Sequence, residues 1–341
     1  MEKVNQVEAM SFKGLNKALT AMLGKGVTAN NYEKKNLQGG TVGDVWLVTG
    51  IANTSKEKGV PYKIVLKTQE KWERFGDPGS WRREYDLYLS DLGEYFSKEL
   101  RWPKCYHAEM NEGENETQLW MEVVEGTTGQ ELSEEMYEKA AYELGRFQGK
   151  LYAEKPSFLN EITNLSNDRF LENFYKRYRS WHVVYDYIRS ENCEIPKHLC
   201  NMLMDIDDQA EEIFKGIEKL PRILCHRDFW VANIFSSNKE IRLIDWDTTG
   251  WGYLGEDLAS LIADESKLDA MVSLYQKSLP AYVKGFSEYR DISHIKNLYV
   301  WERMLLMFGY RIGEWYLDGE SEAEKEYQIA TLQKIYEMEK A

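Results

Sequence analysis

Residues 223–251 read I-L-C-H-R-D-F-W-V-A-N-I-F-S-S-N-K-E-I-R-L-I-D-W-D-T-T-G-W, and the rest of the chain is organised around them. The short apolar run Ile223 to Cys225 predicts a buried strand. A polar turn follows with His226 and Asp228, and Asn233 comes five residues after the aspartate. Ile234 and Phe235, the turn Ser236-Ser237-Asn238 and the run Ile241 to Ile244 predict a β-hairpin. Its second strand delivers Asp245 and Asp247. An ordinary hairpin whose acids cap turns is the plain alternative.

The order H-R-D-x-x-x-x-N, hairpin, aspartate is the spacing of a kinase-type catalytic loop and metal site. Phosphoryl transfer asks a protein for positioning and charge compensation more than covalent work. Asp228 fits the carboxylate that receives or orients the nucleophile's proton. Magnesium takes one or two carboxylates or other hard oxygens and completes its shell with phosphate and water. Asn233 and Asp245 offer such ligands from the two ends of the hairpin.

Composition narrows the alternatives. The chain has 341 residues and is 43% hydrophobic, enough for a sizeable core. Its 43 basic and 57 acidic side chains leave a formal charge of −14. That argues against nucleic acid or an anionic membrane surface as the main partner. Cys105, Cys193, Cys200 and Cys225 form neither C-x-x-C nor a zinc spacing. The opening M-E-K-V-N-Q-V-E-A-M has no signal-peptide run, and no long apolar segment follows. The expectation is a soluble cytoplasmic protein, where ATP is available.

Upstream, Leu15, Leu19, Met22 and Leu23 predict an amphipathic helix ended by Gly24 and Gly26. Gly39, Gly40 and Gly43, with Thr41, make a turn before a strand at Val45 to Val48. Glycines there let backbone N–H groups approach phosphates, although a plain hairpin turn fits too. The strand Y-K-I-V-L-K puts Tyr62, Ile64 and Leu66 on one face and closes on Lys67. A helix over 80–97 brings Glu84, which pairs with Lys67 or with a neighbouring surface arginine. The run 117–126 predicts a strand and then a connector, with Glu122 and Val124 as candidates to meet an adenine edge. From about 133 the pattern is helical: Met136, Ala140, Leu144, Phe147 and Leu151 share a face, with Gly145 and Gly149 beside it.

The ordered set Gly39-Gly40, Lys67, Glu84, connector, Asp228, Asn233 and Asp245 resembles the aminoglycoside phosphotransferase and choline kinase superfamily, small-molecule relatives of protein kinases. H-R-D-F-W-V-A-N-I-F, L-I-D-W-D and the following G-x-x-x-E-D-L-A carry the resemblance most specifically. It implies an α+β, two-lobed protein-kinase-like fold: a small mixed sheet in an N-terminal lobe over 1–125 and a mainly helical C-terminal lobe over 126–341. It implies ATP and Mg²⁺ as cofactors and a small-molecule hydroxyl as acceptor. Asp228 would act on that hydroxyl, Asn233 and Asp245 would bind the metal, and Lys67, oriented by Glu84, would hold phosphates.

The ten residues between Asp245 and Glu256 leave no room for an activation segment, which disfavours a protein substrate. Arg227 stands where this family commonly has glycine. Candidate acceptor contacts are Trp230, Asp247, Trp301, Glu314 and Trp315, since aromatics with acids hold a cationic amine. The same aromatic spacing also describes packed helices. The competing function is a catalytically silent kinase-fold binding or structural protein, as among spore-coat relatives.

Overall fold

The computed structural model describes residues 12–37, 43–72, 77–178, 181–238, 240–264 and 266–339. They form two compact units. One runs to Ser90 and resumes over Pro103–Val124; the other takes Asp91–Trp102 and everything from Glu125 onward. The segment 91–102, which the sequence reading included in its N-terminal span, thus lies with the second unit.

In the first unit, α1 (Phe12–Leu23) buries Leu15, Ala18 and Leu19 at helical spacing and stops before Gly24 and Gly26, at φ 107° and 72°. Five strands among the described residues make one sheet: β1 (Thr28–Asn36), β2 (Asp44–Asn53) and β3 (Val60–Glu70), then, past β4 (Leu100–Arg101) of the second unit, β5 (Cys105–Met110) and β6 (Glu116–Met121). Their order is β1-β2-β3-β6-β5 and every pairing is antiparallel. The expected mixed sheet is therefore corrected. β3 and β5 run the same way, but β6 lies between them, so no two parallel strands become neighbours. β1, T-A-N-N-Y-E-K-K-N, carries no strand signal in its composition; it sits at an edge, where charged side chains remain solvated.

Alternation along β3 gives the sheet two dry faces. Tyr62, Ile64 and Leu66 pack with Leu15, Leu19 and Trp120 on the α1 side. Val65 packs with Leu119 and Met121 on the other, where α2 (Ser80–Leu89) adds Tyr85 and Tyr88. This helix is shorter than the 80–97 run predicts. Ser90 turns extended and its hydroxyl donates to the Leu87 carbonyl at 2.7 Å.

In the second unit, β7 (Arg222–Cys225) leads into the stretch 226–233, and β8 (Ile234–Ser237) with β9 (Glu240–Leu243) forms the predicted hairpin. β4 pairs parallel to β9, and β10 (Gly250–Tyr253) pairs antiparallel to β7. The short span after Asp245 is thus filled by a strand. Around these lie α3 (Glu134–Glu154), α4 (Phe170–Tyr178), α5 (Trp181–Ile188), α6 (Lys197–Asp208) and α7 (Ala210–Ile217). After β10 come α8 (Glu256–Ala263), α9 (Met271–Ser287), α10 (Val300–Met304), α11 (Tyr310–Asp318) and α12 (Glu322–Met338). α3 and α9 touch backbone to backbone: a Cβ at Gly145 would run into the Tyr282 carbonyl, and one at Gly285 into that of Tyr142. No described helix is long and apolar enough to cross a membrane.

Candidate active site

Strand parity decides where Lys67 goes. It shares the face of Val65, under α2, and its Nζ lies 2.6 Å from Glu84 Oε2. Its two arginine neighbours on α2 are engaged elsewhere. Arg82 makes the surface i,i+4 pair with Asp86, and Arg83 makes a buried two-pronged pair with Asp77 at 2.9 and 2.5 Å. Glu84 is buried and turns to the lysine. Gly39, Gly40 and Thr41 lie outside the described residues. Gly43, just past them, sits so close to β3 that a Cβ would run into the Thr68 carbonyl oxygen.

The connector begins where β6 ends. Glu122 N–H donates to Lys104 O at 2.8 Å, and Lys104 N–H returns to Glu122 Oε2 at 2.9 Å. The Glu122 carboxylate is thus occupied in holding the two segments together. Val124 makes no hydrogen bond among the described residues.

In the second unit the loop after β7 is fixed from several sides. His226 Nδ1 accepts the Asp228 N–H at 3.2 Å, and Nε2 faces the Ile244 carbonyl at 3.0 Å. A carbonyl only accepts, so Nε2 carries the proton and the ring is neutral. Its edge meets the buried Trp246 ring at 4.5 Å. Asp257 of α8 accepts N–H groups from both His226 and Arg227, at 3.0 and 2.6 Å. Burial pushes its carboxyl up to about 6, while those bonds and one from Gln148 hold it down.

Arg227 answers the question its glycine-like position raised. Its φ is +70°, the left-handed region that glycine tolerates best. The side chain offsets that strain. It donates to Glu256 Oε1 at 2.9 Å, to Asn167 O at 2.8 Å, and to Ser166 Oγ and Trp251 O, and it lies over the Phe170 ring. Arg227 therefore binds the loop to α8, to β10 and to the start of α4.

Asp228 follows, half-buried, with the buried Phe229 behind it. Asn233 Nδ2 donates to its Oδ2 at 2.7 Å and to its main-chain carbonyl at 2.9 Å. Across the open end of the hairpin, Ile244 N–H donates to Asn233 O at 3.0 Å, which brings Asp245 alongside. Asp245 has φ +65°, a conformation aspartate adopts more readily than most residues. Burial, then the charges of Asp245 and of the buried Asp247, push the Asp228 carboxyl up to about 7. The charges of Asp245 and Asp247 thus both act on Asp228, which favours added positive charge nearby.

The residues fit a magnesium ion on two counts. Asn233 is buried, its Nδ2 is spent on Asp228, and its Oδ1 has no partner among the described residues. Hard oxygens from an amide and a carboxylate are also the sparse donor set that magnesium takes beside phosphates. No group of three His, Cys, Asp or Glu side chains converges as a metal site among the described residues, so a dedicated protein cage is not what this loop offers.

The remaining acceptor candidates lie apart in character. Trp230 is half-buried within the loop, its carbonyl accepting Asn233 N–H at 3.0 Å. Trp301 donates from Nε1 to Ile335 O at 2.8 Å and so braces α12. Glu314 is half-buried, and Trp315 is exposed with the Arg311 guanidinium over its ring at 4.6 Å. None of the last three makes a hydrogen bond, ion pair or ring contact to the Asp228 loop among the described residues. Sequence reading missed Asp257 and Gln148 as supports. The signal for Gln148 was an amide amid the apolar, glycine-bearing face of α3.

A strand-borne lysine with its glutamate, and a loop–hairpin with aspartate, asparagine and aspartate in order, are the parts of a kinase-like phosphotransferase. Residues 83–290, more than half of the chain, match the model of the phosphotransferase enzyme family, and the chain belongs to that family. Solved structures share the fold at low identity. A choline kinase from Cryptosporidium parvum is 15% identical, with 91% of this chain and 89% of that one covered and a TM-score of 0.53. A microcompartment-associated aminopropanol kinase is 15% identical, with coverage of 89% and 90% and a TM-score of 0.57. An amicoumacin kinase in complex with AMP-PNP, Ca²⁺ and Ami is 14% identical, with coverage of 89% and 87% and a TM-score of 0.54. No curated protein matches the chain in sequence.

Proposed function

We propose that this phosphotransferase moves the γ-phosphoryl group of ATP to a hydroxyl of a small molecule bearing a cationic nitrogen. The observation that carries the reading is the Asp228–Asn233 pair. One amide nitrogen pins the aspartate, and the oxygen of the same amide has no partner among the described residues. Asp228, at about 7, is poised to take or orient the proton of an attacking hydroxyl near neutral pH. Asn233 and Asp245 are the residues that would hold Mg²⁺, which supplies charge compensation for the transferring phosphoryl group. Lys67, kept in place by Glu84, binds nucleotide phosphates, and Val124 meets the base edge. A donor of this kind suits a cytoplasmic protein.

The cationic acceptor rests on chemistry held in common. Choline and aminopropanol, named in two of the related structures, are alcohols carrying a nitrogen that is positive at neutral pH. Acidic side chains beside Asp228, Asp247 foremost, suit such a group electrostatically.

The test is ADP release by the purified chain with ATP and MgCl2 against choline, amino alcohols, aminoglycosides and neutral sugars. Turnover with a nitrogen-bearing alcohol, lost on the order of 10²–10⁴-fold in Asp228→Asn, is the expected result. Failure to bind ATP or GTP by calorimetry overturns the reading. Nucleotide binding with no Asp228-dependent turnover on any acceptor turns it into that of a binding protein.

A further inference from the structure

Gln148 interrupts the apolar face of α3 and is buried between Phe147 and Gly149, where α3 packs on α9. All of its polar capacity is directed. Nε2 donates to Leu224 O at 3.0 Å and to Asp257 Oδ2 at 2.8 Å, and Oε1 accepts from the Tyr282 hydroxyl at 2.5 Å. The carbonyl only accepts and the ionised carboxylate only accepts, so the amide can face one way alone. With its carbonyl oxygen turned to Tyr282, Gln148 can only accept there, so the tyrosine hydroxyl is the donor. The donors therefore run in one direction, from Tyr282 through Gln148 to Asp257. Hydrogen bonds chained this way in a low-dielectric interior reinforce each other.

The far end of the chain is the catalytic loop. Asp257 accepts the N–H groups of His226 and Arg227, the two residues that precede Asp228. We propose that Gln148 and Tyr282 are positioning residues for phosphoryl transfer, fixing through Asp257 the two peptide groups that set where the Asp228 carboxylate points. This rests on Asp228 being the catalytic carboxylate. The loop needs such support because Arg227 is held at φ +70°, and a strained backbone persists only where its surroundings over-determine it. Without Gln148, Asp257 loses a donor in a place where burial already favours its protonated form, and a protonated oxygen is a poorer acceptor for the loop. Leu224 O loses its side-chain donor at the same time, at the end of the strand that delivers the loop.

The test uses the full chain with Tyr282→Phe, which removes one oxygen, and Gln148→Leu, which removes the amide. Two readouts are taken: the kinetics of ADP release and hydrogen exchange of the peptide spanning 222–233. Gln148→Leu is expected to lower kcat about tenfold or more with the nucleotide KM changed less than about twofold, because a misaligned base weakens the transition state and not nucleotide binding. Tyr282→Phe moves kcat the same way by less. In both, exchange at the 226–228 amides quickens more than exchange within α3 and α9. Wild-type kcat and loop exchange in both variants overturn the proposal, as does a KM effect with kcat intact. If Gln148→Leu does not fold, Tyr282→Phe decides alone. If the wild-type chain releases no ADP with any acceptor, the reading of Asp228 fails, and loop exchange still decides whether Gln148 and Tyr282 hold the loop.

Discussion

Lys67 in the first unit and Arg227 in the second are both paired with a glutamate on the helix that follows, yet the two cations are built for opposite ends. Lys67 meets Glu84 at 2.6 Å and keeps 13% of its side chain exposed. Arg227 meets Glu256 at 2.9 Å, keeps 2%, and spends its remaining donors on Ser166, Asn167 and Trp251. An ammonium is a compact charge on a flexible stem, whereas a guanidinium is a rigid fork of five donors. The lysine suits a charge kept within reach of a ligand, and the arginine suits one consumed by the scaffold.

Substitution at each cation separates the two uses. Arg227→Ala takes the ion-pair partner from the buried Glu256 and removes the side-chain ties to Ser166, Asn167 and Trp251. It is expected to lower unfolding free energy by about 3–5 kcal/mol, read from urea midpoints. Lys67→Met is expected to act mainly on chemistry, lowering kcat/KM on the order of 10²–10³-fold with a smaller stability loss. Equal destabilisation by the two variants would erase the contrast.

Arg227→Gly sharpens it further. Glycine loses the same contacts as alanine but relieves φ +70°. Arg227→Gly should therefore be more stable than Arg227→Ala by about 1 kcal/mol, since left-handed backbone costs other residues roughly that much. If glycine proves the worse of the two, backbone strain at 227 is not what the side chain offsets.

Which of these features the sequence displays follows from how far apart the partners lie. Period-two alternation in Y-K-I-V-L-K already separates Lys67 from Tyr62, Ile64 and Leu66, and the spacing of Asp228, Asn233 and Asp245 around a hairpin is local. The role of Arg227 was hidden because its partners lie elsewhere along the chain, at 166–167, 251 and 256. β1 was hidden because an edge strand needs no apolar pattern, and the antiparallel order because strand adjacency, unlike strand existence, is not local. The end of α2 was misjudged since Leu89, apolar and in phase with Tyr85, is 60% exposed.

The acids of the second unit give a titration that the first unit should lack. Asp228 sits at about 7 and Asp257 at about 6, both above the roughly 3.9 of an unfolded aspartate. The folded chain binds the extra protons, so the stability they confer is full below about pH 4 and is lost as pH rises through about 6 to 7. A divalent cation held by Asn233 and Asp245, as proposed, would compete with those protons. The rise in thermal midpoint on adding MgCl2 with ADP should therefore be greater at about pH 8 than at about pH 5. An equal rise at both, or one abolished by Lys67→Met and untouched by Asp245→Asn, would move the cation away from the second unit.

The smallest effect is expected at Trp315, and it bears on where an acceptor amine rests. The ring is 41% exposed and its face already carries the Arg311 guanidinium at 4.6 Å. A cationic acceptor would have to displace that arginine to gain an interaction of similar size, and an exposed cation–π contact amounts to only about 0.5–1 kcal/mol. Trp315→Ala should accordingly change the acceptor KM by less than about fivefold, the ratio that such a contact supports. Trp230, two residues past Asp228, has no cation over its ring among the described residues and is half-buried in the loop itself, so Trp230→Ala should raise the acceptor KM more. A tenfold rise at Trp315 with none at Trp230 would reverse the order and bring α11, with Glu314, into the acceptor site.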